Sequence, residues 1–342
     1  MGRGWQQARA FILALLVGGS FLPRQAAALE RIVFGINWVA EAEYGGFYQA
    51  LATGAYARRG LAVTIRQGGP QVNHTQLLVA GRIDLGLADN MLLQFNLTAR
   101  DIPVVAIAAF FQKAPQALLA HPDAGVRSFE DLRDKIILVA TEDRLTWWQW
   151  LKHLYGLRDE QIRPYTFNPA PFLADKRVVM QAYVTAEPFV IEREAGFRPV
   201  VLMLADAGYD TYANILQVRR DFLERHRHEV EAFVEASIEG WYDYLYGDPE
   251  PAHELIKQAN PDMTDALLAY SRSKLREYGI VDSGDALTLG IGAMTDARWQ
   301  SFFGKAVEWG LVPAALSLEK AYTLAFVNRG HGLDLKRRLI AR

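Results

Sequence analysis

A tryptophan and a glutamate are the residues of this sequence best suited to bind a flat molecule. Trp38 follows a short apolar segment and has the polar residues Asn37 and Glu41 beside it, so its indole can stack on a planar ligand. Glu187 precedes Pro188, and its carboxylate can accept hydrogen bonds from a ring N–H or an exocyclic amine. Two alternatives stay open: a tryptophan of the core, and a carboxylate that only stabilises a helix N-terminus.

Two glycine pairs lie at the ends of predicted strands. Gly45 and Gly46 follow Tyr44 and open a predicted helix, and Gly68 and Gly69 end the second predicted strand. Backbone without side chains lets a ligand approach the free N–H groups of a helix N-terminus. The alternative is turn chemistry, in which glycine supplies a positive φ.

Further polar and aromatic residues complete the candidate site. Asp89 follows the third predicted strand, where it either accepts a hydrogen bond from a ligand or, with Asn90, caps a helix. The sequence does not determine which of three clustered tryptophans faces a cleft: Trp147, Trp148 or Trp150. The predicted ligand-binding residues are Asn37, Trp38, Tyr44, Gly45, Gly68, Gly69, Asp89, Thr185, Glu187, Tyr209 and Tyr212.

Motifs for catalysis are missing from the sequence. It contains no cysteine, no G-x-S-x-G, no H-E-x-x-H and no P-loop. His226 and His228 are two positions apart and so lie on different faces of a helix, which does not suit a metal. We therefore expect a protein that binds rather than catalyses, with no cofactor and no metal.

The first residues have the pattern of a secretory signal peptide. Arg3 and Arg9 supply positive charge, residues 11–22 are apolar, and residues 26–28 are alanines that suit a signal peptidase. We expect cleavage after residue 28 and a periplasmic location, with an uncleaved membrane anchor as the alternative. Without cysteine there is neither a lipid anchor nor a disulfide framework.

The charge balance gives no sign of a nucleic-acid partner. The sequence has 37 basic and 39 acidic residues, and no basic stripe. After the N-terminal segment no apolar run is long enough for a transmembrane helix. We expect a monomer that binds a small molecule.

Strands and helices alternate along the N-terminal third. Strands are predicted at residues 31–37, 61–66 and 83–87, and helices over 47–56 and up to about residue 81. This β-α-β-α-β order predicts a mainly parallel sheet with helices on its faces.

The alternation restarts further along and predicts a second lobe. Strands are predicted at 103–109 and 135–140, and the stretch from residue 220 onward is mostly helical. We therefore predict an α/β fold with two lobes and a ligand cleft between them, at the carboxyl ends of the strands. Residues 29–112 and 213–342 are predicted to form one lobe, and residues 113–212 the other.

Several short strings occur together in one order: Asn37-Trp38, Tyr44-Gly-Gly-Phe-Tyr48, Gly54-x-Tyr56-x-x-x-Gly60, Gly68-Gly-Pro70, Ala80-Gly81-x-x-Asp84 and Tyr183-Val-Thr-Ala-Glu187-Pro188. Over about residues 31–330 the chain resembles the ABC-importer binding proteins that group aliphatic-sulfonate binders with thiamine-pyrimidine binders. The resemblance implies a two-lobe periplasmic binding protein of type II that delivers a small ligand to a membrane permease.

The resemblance also indicates the class of ligand. The elements around Trp38, Tyr44 and Glu187 are most similar to the pyrimidine-binding branch, which implies a planar amino-heterocycle such as a thiamine pyrimidine precursor. A sulfonate, taurine or nitrate-type oxyanion is the alternative. The family includes a fungal pyrimidine-synthesis enzyme with a cysteine-rich iron site and a consumed histidine. This chain has no cysteine, and no histidine in residues 85–99, which argues against synthesis.

Overall fold

The computed structural model describes residues 28–69 and 72–341. The predicted signal peptide, apart from its last residue, lies outside them. Within this part of the chain ten strands form two sheets of five. The strands are β1 (Glu30–Gly35), β2 (Leu61–Arg66), β3 (Leu85–Asn90), β4 (Val104–Phe111), β5 (Gln116–Ala120), β6 (Ile136–Val139), β7 (Ile162–Pro164), β8 (Val178–Tyr183), β9 (Val200–Met203) and β10 (Ala213–Arg219).

Helices cover the sheets and continue to the end of the described chain. They are α1 (Gly45–Ala52), α2 (Ala55–Arg58), α3 (His74–Val79), α4 (Met91–Ala99), α5 (Trp147–Tyr155), α6 (Ala170–Ala174), α7 (Glu187–Ala195), α8 (Arg220–Arg225), α9 (Arg227–Tyr246), α10 (Glu250–Ala259), α11 (Asp265–Glu277), α12 (Ala286–Leu289), α13 (Asp296–Glu308) and α14 (Leu333–Ile340). None of the described helices, including the 20-residue α9, qualifies as a membrane span.

The predicted α/β class is confirmed, and both sheets are mixed. The first sheet has the order β2-β1-β3-β10-β4, and the second has the order β7-β6-β8-β5-β9. In the first, β1 pairs in parallel with β2 and β3, whereas β10 is antiparallel to both of its neighbours. In the second, β5 is the antiparallel strand. Each sheet is thus mainly parallel, with one strand reversed.

The reversed strands follow the two places where the chain passes between the sheets. Residues 112–115 lead from β4 into β5, and residues 204–212 lead from β9 into β10. The first sheet therefore combines β1 to β4, which precede the strands of the second sheet in the chain, with β10, which follows them. On this basis we retain, as a proposal, the lobe boundaries predicted from the sequence.

Local differences from the sequence prediction have local causes. The strand β2 is confirmed at both ends, but the helix predicted over 47–56 is two helices, because Gly54 has a φ of +74° that interrupts it. The strand β5 was not predicted, since it is a short run in which every residue is buried. A capping box precedes the short helical turn at residues 129–132: the carboxylate of Asp131 accepts a hydrogen bond from the backbone N–H of Ser128 at 3.0 Å.

Candidate ligand-binding site

A cavity of about 1140 Å³ lies between the two sheets. On the side of the first sheet it is lined by Asn37, which follows β1, and by Asp89, near the end of β3. From the second it takes Asp143, which follows β6, and Glu187, which follows β8. These are carboxyl ends of parallel strands, the place where ligands bind in open α/β sheets.

Seven of the eleven predicted residues line this cavity, although they are far apart in the sequence. They are Asn37, Trp38, Tyr44, Gly69, Asp89, Glu187 and Tyr209. The other four, which the structure also describes, are outside its wall: Gly45, Gly68, Thr185 and Tyr212. A ligand-binding role for the seven stays a prediction.

Aromatic rings from both sheets meet at the cavity. The rings of Trp38 and Phe167 have centroids 4.2 Å apart and are tilted by 49°, and Phe167 in turn lies 4.9 Å from Tyr165. All three rings line the cavity. Phe167 has a φ of +61°, which is uncommon for an aromatic residue and is a form of backbone strain concentrated at functional sites.

Sequence reasoning did not identify Tyr165 or Phe167. A signal was available, because both aromatics stand among prolines and an asparagine that mark a loop after β7. Aromatic residues in such a loop have no helix or strand periodicity to explain them.

A hydrogen-bond chain holds one carboxylate in place. The hydroxyl of Tyr44 donates to the Oδ1 atom of Asn37 at 3.1 Å, and the Nδ2 atom of Asn37 donates to Asp89. The helix cap that the sequence analysis considered for this region is formed by Asn90. Its side chain accepts a hydrogen bond from the backbone N–H of Leu93 at 3.1 Å and caps α4. Asp89 is therefore presented to the cavity rather than used as the cap.

Three glutamates come together in the same wall. Burial raises the pKa of Glu187 to about 7, although the backbone N–H of Tyr183 donates to its carboxylate at 2.8 Å. Burial, together with the charges of Glu43 and Glu187, also raises the pKa of Glu41 well above its ordinary value, and a hydrogen bond from Trp38 opposes this. The charge of Glu43 also raises the pKa of Glu187, so the three carboxyl groups interact electrostatically.

The charged groups of the cavity wall are mostly acidic. Five acidic residues line it: Glu41, Glu43, Asp89, Asp143 and Glu187. Arg100 is the one lysine or arginine in the described wall. Burial and the charge of Arg66 lower the pKa of the neighbouring His74 to about 4, so this imidazole is neutral at neutral pH. Such a wall favours ligands that donate hydrogen bonds and disfavours bare anions.

The two predicted glycines outside the wall serve close packing. A Cβ at Gly45 would lie 2.3 Å from the ring of Tyr244, so the glycine lets α1 approach α9. A Cβ at Gly68 would lie 2.5 Å from the carbonyl oxygen of Asn37. Both positions need the absence of a side chain, and neither glycine has the positive φ that the turn-chemistry alternative assumed.

Thr185 and Tyr212 are fully buried and bonded to protein groups. The hydroxyl of Thr185 donates to the carboxylate of Glu43, and this bond lowers the glutamate's pKa while burial, the larger effect, raises it. The hydroxyl of Tyr212 accepts from the backbone N–H of Thr295 at 3.1 Å. Thr185 acts on the cavity through Glu43, and Tyr212 anchors the chain after it returns to the first sheet.

The structure distinguishes the three clustered tryptophans. Trp147 lines the cavity. The indole N–H of Trp148 donates to Asp159 at 2.8 Å, and Trp150 packs against Tyr209 with centroids 5.1 Å apart. Among the described residues no group of three or more histidines, aspartates or glutamates could hold a metal ion.

Two curated proteins and a solved structure are similar to this chain. The riboflavin-binding protein RibY of Chloroflexus aurantiacus is 24% identical over 319 residues, which cover 90% of this chain and 89% of RibY. The 4-amino-5-hydroxymethyl-2-methylpyrimidine phosphate synthase THI11 of Saccharomyces cerevisiae is 23% identical over 259 residues, covering 70% and 74%. The periplasmic aliphatic sulphonate binding protein SsuA from Escherichia coli has a TM-score of 0.59 at 15% identity, covering 86% and 92%.

The structural similarity establishes the fold. Sulfonate-binding and nitrate-binding periplasmic proteins have the same architecture, the type II fold of periplasmic binding proteins. The desulfurization enzyme DszB shares it, so the fold alone does not decide between binding and catalysis. The sequence profile described as NMT1/THI5 like matches residues 41–252, which is more than half of the chain, and the protein therefore belongs to the NMT1/THI5-like family.

Proposed function

We propose that this protein is the periplasmic substrate-binding component of an ABC importer and that its ligand is a planar heterocycle bearing N–H groups. The observation that carries the proposal is the composition of the cavity wall. Aromatic rings from both sheets flank it, and five carboxyl groups converge on it at the carboxyl ends of the strands. Rings stack on aromatic side chains, and N–H groups donate to carboxylates.

The same wall argues against the oxyanion alternative. A sulfonate or nitrate would meet the acidic side chains of Asp89, Asp143 and the partly ionised Glu187, with only Arg100 as a permanent positive charge in the described wall. Burying an anion beside carboxylates is costly unless cations compensate it. Similarity to sulfonate-binding structures, at 15% identity or less, bears on the fold and not on the ligand.

The size of the cavity favours a ring system larger than one pyrimidine. Its volume of about 1140 Å³ lies slightly above the range, roughly 300–1000 Å³, that is usual for pockets holding drug-sized ligands. The relative that covers 90% of this chain is a riboflavin-binding protein. A flavin-type ring, which is planar and has one ring N–H, is therefore the first candidate, and a thiamine pyrimidine precursor is the second.

The residues of this chain favour a protein that binds its ligand without transforming it. The sequence lacks cysteine and the catalytic motifs named above. The signal-peptide pattern of the first residues supports export, and a two-lobe protein that closes on its ligand can present the closed form to a permease. On this proposal the protein acts as a monomer whose partners are the small ligand and the permease, with no nucleic acid involved.

One set of binding measurements tests the proposal. Native mass spectrometry of protein prepared from the periplasm should show a copurifying heterocycle, and calorimetry should detect binding of riboflavin or 4-amino-5-hydroxymethyl-2-methylpyrimidine. Taurine in the same buffer is the matched oxyanion control and should give no heat of binding. Binding of taurine without either heterocycle would overturn the proposal. Formation of a pyrimidine from pyridoxal phosphate and iron would overturn the non-catalytic part of it.

A further inference from the structure

We propose that the groove between α3 and α4, which continues from the cavity, binds a flexible hydroxyl-bearing chain attached to the ligand's ring. This inference rests on the proposed function, because it concerns the ligand of the same cavity. It narrows the ligand class to two-part molecules, in which a planar ring occupies the acidic and aromatic part and a polar chain extends along the helices.

One wall of the groove is a single face of α4. Leu93, Asn96, Leu97 and Arg100 are spaced three and four positions apart, so they lie on one side of the helix and its C-terminal end. All four line the cavity. Since an α-helix rises 1.5 Å per residue, this wall extends for roughly 10 Å away from the strand ends. A single ring held against Glu187 does not need a wall of that length.

The opposite wall comes from α3 and the residues next to it. Gln76, Val79 and Ala80 line the cavity from this side, and so does Val72, which precedes the helix. The two valines are 40% and 42% exposed. Single exposed valines are ordinary on a surface, but these two border the same cavity. The carbon atoms of a bound chain would remove this apolar surface from water.

The polar side chains along the groove match hydroxyl groups. The side chains of Gln76, Asn96 and Arg100 make no hydrogen bond or ion pair within the part of the chain that the structure describes. An amide both donates and accepts hydrogen bonds, a guanidinium donates, and a hydroxyl does both. The groove is thus chemically distinct from the acidic part of the cavity, which suits N–H donors.

Two flavins that share one ring test the groove directly. Riboflavin carries a five-carbon hydroxylated chain, and lumiflavin carries a methyl group in its place. By calorimetry, the wild-type protein should bind riboflavin at least tenfold more tightly than lumiflavin. Asn96→Trp, which fills the groove from α4, should weaken riboflavin binding tenfold or more and leave lumiflavin within twofold. Gln258→Trp, an exposed position on α10 outside the cavity wall, is the control and should change neither.

The outcomes separate this inference from the proposed function. Equal wild-type affinity for the two flavins, or an equal loss of both in Asn96→Trp, would overturn the groove assignment and leave the heterocycle proposal standing. Binding of 4-amino-5-hydroxymethyl-2-methylpyrimidine without binding of either flavin would also overturn the groove assignment and leave the heterocycle proposal standing. If no planar heterocycle binds, the proposed function itself fails. Should Asn96→Trp not fold, Arg100→Gln replaces it, with at least a threefold loss expected for riboflavin and none for lumiflavin.

Discussion

The hydroxyl of Thr185 donates a hydrogen bond to the carboxylate of Glu43 and so joins the segment after β8, in the second sheet, to the turn before α1, beside the first. Both side chains are buried. The backbone carbonyl of Thr185 accepts from the hydroxyl of Ser271 at 2.6 Å, and the amide of Asn214 donates to the backbone carbonyl of Glu43 at 3.1 Å. The two halves of the molecule therefore meet in a small, fully buried polar network next to the cavity.

Removing the hydroxyl of Thr185 should destabilise the protein. Thr185→Val keeps the shape of the side chain but leaves the buried carboxyl of Glu43 without this donor. We expect a loss of about 1–3 kcal/mol in the free energy of unfolding, measured by urea denaturation. Thr185→Ser keeps the hydroxyl and is the control, with a smaller loss expected. Equal losses in the two variants would show that the methyl group, and not the hydrogen bond, matters.

The raised pKa of Glu187 should make the stability of the unliganded protein fall as the pH rises. An acid whose pKa is about 7 in the folded state and about 4.5 in the unfolded state binds more protons when folded, in the window between those values. Stability is therefore lost as the pH rises from about 4.5 to 7, by roughly 1–3 kcal/mol for this group. Glu187→Gln keeps an acceptor for the N–H of Tyr183 and should flatten the profile in thermal unfolding at pH 5 and pH 8.

Ligand binding should respond to pH in the opposite direction. The carboxylate form of Glu187 accepts a hydrogen bond from a ring N–H, whereas the protonated form competes as a donor. We expect affinity for a neutral N–H heterocycle to fall about tenfold between pH 8 and pH 6, as roughly nine-tenths of the group becomes protonated. The charge of the neighbouring Glu43 adds to the effect of burial in raising the pKa of Glu187. An affinity in Glu187→Gln that still changes tenfold over this range would assign the effect to another group.

Trp38 should contribute stacking energy to ring ligands. Trp38→Ala removes the indole that lies against Phe167 in the cavity wall. A loss of about 1–3 kcal/mol in binding free energy corresponds to a dissociation constant that is larger by roughly fivefold to 150-fold. Trp38→Phe retains an aromatic face and should recover most of the affinity. Titration followed by flavin fluorescence and by calorimetry measures both variants. Unchanged affinity in Trp38→Ala would mean that the indole only packs against protein.

Gly46, the second residue of α1, should contribute to stability and not to ligand binding. A Cβ at Gly46 would lie 2.1 Å from the indole of Trp241, so Gly46→Ala should destabilise the protein by about 1–3 kcal/mol through overpacking. Gly304→Ala is the matched control: no atom lies within 4 Å of its added Cβ, and alanine in the interior of α13 should stabilise by roughly 0.5–1 kcal/mol. A large change in ligand affinity in folded Gly46→Ala would instead support the predicted role of this glycine pair in binding.

Residues at the ends of strands were predictable from the sequence because strand ends are local signals. Asp89 and Glu187 each follow an apolar run, and the sheet brings such positions to one edge. The close approach of Gly45 to Tyr244 could not be predicted, because Tyr244 is far along the chain and no local pattern pairs them. The composition of its loop could have marked Phe167 as a candidate, but its contact with Trp38 depends on the approach of two sheets and could not be predicted from one loop.

The position of β10 between β3 and β4 has a consequence for the order of assembly during synthesis. Residues 116–203 contain every strand of the second sheet, so that sheet can pair completely before residue 213 has been made. The first sheet cannot, because β3 and β4 have no shared neighbour until residues 213–219 are present. The sides of β3 and β4 that face each other therefore stay unpaired until β10 has been synthesised, and strand pairings over such long sequence separations form slowly. On the proposal that the chain is exported, this delay would keep the first sheet incompletely paired while the chain crosses a membrane.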